Sequence, residues 1–159
     1  MKYKIRYILV GICLMLCIYL TTFIKPTINF SAKINGITTE DYKRIKKEEQ
    51  GLPKNVDIKR LKHVDIQVKV KSPNILIKDI KFNSDGFYDF LRDNEKVRML
   101  GDSIVTYNKK HTETLEVYLE NANDKELKDI IGNFKYVISW KNIWNYQSEE
   151  IFYLKDYLK

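Results

Sequence analysis

Hydrophobic positions follow two regimes along this chain. From Tyr7 to Ile24, eighteen consecutive residues carry no charge. A helix of that length rises about 27 Å, close to a hydrocarbon core of roughly 30 Å, so the run predicts a membrane span. Lys2, Lys4 and Arg6 precede it, and the positive-inside rule then places residues 1–6 in the cytoplasm and the remainder outside. A cleaved signal peptide is the rival reading. Its apolar region runs about 7–15 residues, shorter than this one, and an A-x-A cleavage site is impossible here because Ala32 is the only alanine nearby.

Beyond the apolar run the pattern turns polar and then alternates. Residues 25–62 read as a basic juxtamembrane linker. Within it, Thr38 and Asp41 have capping-box spacing for a short helix over 39–50 that stops at Gly51. Only Tyr42 and Ile45 supply an apolar face, so this helix is expected to dock weakly. Val64, Ile66, Val68 and Val70 alternate with polar residues, the mark of a half-buried strand. Further strands are expected at 75–82, 86–92, 96–100, 103–107 and 114–120, with turns at 83–86 and a polar loop at 108–111. Asn123, Glu126 and Gly132 frame one helix. Phe134, Tyr136, Ile138 and Trp140 mark the next strand. A last strand over 149–158 is expected to turn Ile151 and Tyr153 inward.

Roughly seven strands with short turns and one crossover helix predict an antiparallel β-sandwich over residues 63–159. Its shape resembles an immunoglobulin domain, although the Cys–Trp–Cys signature of that family is missing. Both cysteines, Cys13 and Cys17, lie in the apolar run. The domain that follows therefore has neither a disulfide nor a thiol nucleophile, and must be held by its core. Abundant Ile, Lys, Asn and Tyr, with only two alanines, is the bias of an AT-rich bacterial coding sequence.

The net charge of +7 is unevenly spread. Residues 25–81 hold fourteen Lys and Arg against seven Asp and Glu, whereas 82–159 hold eleven against fourteen. The densest basic set is Lys43, Arg44, Lys46, Lys47, Lys59, Arg60 and Lys62. It is the candidate contact for an anionic lipid or wall polymer. Nucleic acid is not an expected partner, because these residues face away from the cytoplasm.

No motif here carries catalysis. There is no G-x-S-x-G elbow, H-E-x-x-H, C-x-x-C or P-loop, and the loop around Gly86 lacks the acidic first and twelfth positions of an EF-hand. Asp85, Asp89 and Asp93 are spaced by four but gather only on a helix. His63 and His111 are expected as exposed histidines. No cofactor or metal is implied. Trp144 and Tyr146, in a loop, are the candidates for stacking against a sugar ring. The expectation is a non-catalytic, membrane-anchored extracytoplasmic module that binds an envelope protein partner; the alternative is a binder of envelope polymer or glycan.

Overall fold

The computed structural model describes residues 2–23, 25–49, 52–53, 55–73, 76–83, 86–92 and 94–158, without the side chains of 2–4, 20–23, 83 and 88. Gly51, Asn74, Ser84, Asp85 and Asp93, which entered the expected helix stop, turns and aspartate series, lie outside the described residues.

Helix α1 runs Lys2–Phe23. Every described side chain in it, residues 5–19, is exposed, the large apolar ones by 54–77%. Among the described residues no helix is long and apolar enough to cross a membrane.

The rest is mainly β, with seven strands in two antiparallel sheets among the described residues. They are β1 (Thr27–Gly36), β2 (Leu61–Lys71), β3 (Ile77–Asn83), β4 (Val97–Tyr107), β5 (Lys110–Leu119), β6 (Lys135–Asn142) and β7 (Gln147–Tyr153). One sheet has the order β1-β2-β5-β4 and the other β3-β6-β7. Alternation decides what each strand buries. Val64, Ile66 and Val68 from β2, Leu115 and Val117 from β5, and Tyr136 and Ile138 from β6 close one shared core between the sheets. Phe30, Phe152 and Tyr157 stack at its flank, with Phe30 and Phe152 parallel at 4.9 Å.

Among the described residues three α-helices pack on the sheets: α2 (Thr39–Glu48), α3 (Gly86–Arg92) and α4 (Asp124–Gly132). Both expected caps are present. The Thr38 hydroxyl accepts from Asp41 N, and the Asn123 side chain accepts from Lys125 and Glu126 N, each with its reciprocal carboxylate bond. At the end of α4, a side chain at Gly132 would meet Lys155 Cβ at 3.0 Å, so glycine permits this close approach.

Several expectations are corrected. Residues 27–36, read as linker, form β1, in register from Thr27↔Lys71 to Gly36↔Lys62, and Ala32 is fully buried. Helix α2 docks firmly: Ile45 joins Val56, Leu61 and Tyr118 in a second small core. Residues 86–92 are helical because Phe87 and Leu91, four apart, both turn inward. The two strands expected over 96–107 are one, with a bulge between Met99 and Gly101. On β7 the inward residue is Phe152, while Ile151 and Tyr153 are exposed: a phase error of one residue, which exchanges the two faces.

Candidate functional site

The expected basic set does not sit where β1 begins. Strand β1 carries the chain about 30 Å away before α2 starts, at roughly 3.3 Å per residue. Lys62 faces Gly36 at the far end of the β1–β2 pair. So α2, with Lys43, Arg44, Lys46 and Lys47, and the 3-10 turn with Lys59 and Arg60, belong to the end of the sandwich opposite Thr27.

Several of these cations are already engaged. Arg44 pairs with Glu116 on β5, with Glu48 at 3.2 Å and with Asp41 at 3.8 Å. Lys62 Nζ lies 2.8 Å from Asp124, and Arg60 donates to the Glu120 carbonyl at 3.1 Å. Lys46 stands over the Tyr42 ring. Hydrogen bonding to Glu116 raises the Arg44 pKa, and the bond from Thr38 holds Asp41 below its ordinary value. His63 Nε2 is 3.4 Å from the same Glu116. Arg44 and Glu116 line a cleft of about 340 Å³, together with Glu48, Glu49 and Asp102. Glu48 and Glu116 share the Arg44 guanidinium, so the cleft keeps an excess of carboxylates.

His111 is not exposed. It lies on β5 facing the interior and is 3% exposed; Glu113, two residues on, is 1% exposed. The Phe82 ring stacks on it at 4.8 Å, and Thr106 Oγ1 is 2.7 Å from its Nδ1. The 3.8 Å gap from His111 Nε2 to Glu113 Oε2 is too long for a hydrogen bond, and among the described residues neither atom has another hydrogen-bond partner. Among the described residues no group of three or more His, Cys, Asp or Glu is placed to hold a metal ion.

The end where β1 begins has a different character. Thr27 pairs with Lys71, Lys69 with Lys110, and Lys110 with Tyr107. A five-residue connection links Lys71 to Ile77, whose partner is Asn142 at the end of β6. The β1 start, the β2–β3 connection, the β4–β5 hairpin and the β6–β7 turn therefore share one end. The hairpin is a two-residue turn, Asn108-Lys109, with φ of 46° and 62°, a geometry whose twist suits antiparallel strands.

The β6–β7 turn is built to display aromatics. Buried Asn142 accepts from Trp144 N at 2.9 Å and Tyr146 N at 3.0 Å, and its own backbone N–H donates to the Tyr146 carbonyl. Asn145 takes a positive φ of 64°. Trp144 and Tyr146, fixed from behind in this way, are 53% and 66% exposed. Tyr107 of the hairpin is 73% exposed. Lys25, Lys69, Lys71 and Lys110 are exposed at the same end. Sequence reading found the two loop aromatics. It missed the lysines beside them, because they are scattered over residues 25–110 and converge only through strand register.

No family model, curated protein or solved structure matches this chain.

Proposed function

We propose that this chain is a single-pass, membrane-anchored protein with a cytoplasmic N-terminus and an extracytoplasmic, non-catalytic β-sandwich that binds a protein partner in the cell envelope. The observation that carries the anchor is α1. Its sequence holds the uncharged run that begins at Tyr7, eighteen residues that would rise about 27 Å as helix, preceded by three basic residues, and its described apolar side chains are exposed all round. A helix apolar on every face would expose that surface to water at a cost of order 25 cal/mol per Å², and lipid removes the cost.

The sandwich supports an interaction role. The order β1-β2-β5-β4 against β3-β6-β7 is that of a constant-type immunoglobulin sandwich, an architecture that presents loops at its two ends. The alternative, an envelope polymer or glycan ligand, is favoured by the exposure of Trp144 and Tyr146 on a rigid turn.

External protease on intact cells, followed by mass measurement of the membrane-held remainder, tests the topology. The expected remainder is a fragment containing α1 that still begins at residue 1. A mature protein lacking the first thirty or so residues would overturn the anchor. Crosslinking in membranes, then affinity capture of the full chain, tests the partner. Recovery of no reproducible envelope protein would remove that part of the reading.

A further inference from the structure

Resting on the anchor reading, we infer that the end of the sandwich where β1 begins is a bilayer-docking face, seated on anionic lipid headgroups through Trp144, Tyr146, Tyr107, Lys69, Lys71 and Lys110. Covalent geometry brings this end to the membrane. Only Ile24, Lys25 and Pro26 separate α1 from β1. Fully extended, the step from Phe23 to Thr27 spans on the order of 14 Å. Pro26 is buried against the domain, which shortens the effective tether further. A bilayer's headgroup layer is roughly 5–8 Å thick on each side. Thr27, and Lys71 paired to it, are thus held within about one to two headgroup layers of the hydrocarbon.

The residues at this end match that environment. Trp and Tyr have an apolar body and a polar tip and concentrate at membrane interfaces. Among the described residues, Lys69, Lys71 and Lys110 have no carboxylate within salt-bridge distance, and all three are exposed. Lys109 is engaged elsewhere. Its ammonium donates to the Ser72 carbonyl at 3.0 Å and hydroxyl at 2.7 Å, which fixes the hairpin to the β2–β3 connection. Near the β3 start, the Asp79 carboxylate lies 3.6 Å from Lys141. The opposite end carries the carboxylates Asp41, Glu48, Glu116 and Asp124 among its cations. Positive charge with exposed aromatics therefore faces the bilayer, and mixed charge faces away. Docking would fix the orientation of the tethered domain and leave the α2 end outward for a partner.

The full chain is reconstituted into vesicles of phosphatidylglycerol and phosphatidylcholine containing a lipid with a nitroxide on its headgroup. Flotation after an alkaline carbonate wash reports insertion, and tryptophan quenching reports docking. Of the two tryptophans, Trp140 is 3% exposed, so the quenchable emission belongs to Trp144. The expected result is headgroup quenching that disappears in Trp144→Phe. It should also weaken in the triple variant Lys69→Glu, Lys71→Glu, Lys110→Glu, and in vesicles without phosphatidylglycerol. Chain that floats but whose Trp144 is quenched only by aqueous acrylamide overturns docking and leaves the anchor standing. Chain washed off by carbonate overturns both. Lysine-dependent retention on purified cell wall without nitroxide quenching assigns the face to a polymer and overturns the lipid assignment.

Discussion

Arg44 on α2 is ion-paired with Glu116 on β5, 72 residues further along the chain. The contact fastens a helix with a narrow apolar face to the sheet beneath it. Glu116 is 17% exposed and Arg44 44%, so solvent screens the pair only in part. Exposed pairs of this kind contribute about 0.5–1 kcal/mol. A double-mutant cycle with Arg44→Met and Glu116→Gln, read by urea unfolding, should return a coupling of about that size, reduced at high salt. A coupling of zero would leave Ile45 as what holds the helix.

The two capping boxes should matter more than any single surface ion pair. Thr38→Ala and Asn123→Ala each remove a side-chain acceptor from the first turn of a helix. Each should lower stability by about 1 kcal/mol, while Thr39→Ala, next to the cap, should be close to neutral. Thermal melts of the three variants decide this.

Acid should weaken the fold through two carboxylates. The Asp41 pKa is lowered mainly by its bond from Thr38, and the Glu126 pKa by its bond from Lys96. Each group binds protons less readily when folded. The stability it adds is present above its unfolded pKa and is lost as pH falls through the folded one. Arg44 shifts the other way: its contribution is full below its unfolded pKa and is lost only in strong alkali. The urea midpoint should therefore drop between about pH 5 and pH 3, and the drop should shrink in an Asp41→Asn, Glu126→Gln double variant.

The register of β7 can be checked by truncation. Phe152 is 5% exposed and packs on Phe30, whereas Ile151 is 46% exposed. Phe152→Ala should cost about 3–5 kcal/mol and Ile151→Ala well under half of that. The reverse order would restore the phase read from sequence.

That phase, and β1, show where sequence pattern stops being informative. On β2, Val64, Ile66, Val68 and Val70 alternate with polar residues, so face and strand are both legible. On β7, Ile151, Phe152 and Tyr153 are all apolar, and alternation cannot choose between faces; contact with Phe30 does. In β1, Ile28, Phe30, Ala32 and Ile34 do alternate, but Lys25, Pro26 and Asn35-Gly36 around them have the composition of a linker. The candidate site was legible only as far as Trp144 and Tyr146, since local sequence places them in a turn. Lys69, Lys71 and Lys110 converge through the pairings of β2 with β1 and β5, which no local pattern encodes.

His111 and Glu113 test what the interior of the sandwich tolerates. Their inward neighbours in register are Val68 and Ile66, and Phe82 covers the imidazole. His111→Phe would leave the Glu113 carboxylate among apolar side chains without its imidazole neighbour. Leaving one buried polar group without its polar neighbour costs about 1–3 kcal/mol, whereas replacing both by apolar groups of similar shape can be nearly neutral or stabilising. His111→Phe alone should therefore be destabilising, and the His111→Phe, Glu113→Met double variant should recover most of the loss or exceed the parent. Equilibrium urea unfolding of both variants separates the cases. A double variant no more stable than His111→Phe would mean that the imidazole contributes through its stacking on Phe82 and its contact with Thr106, and not through its place beside Glu113.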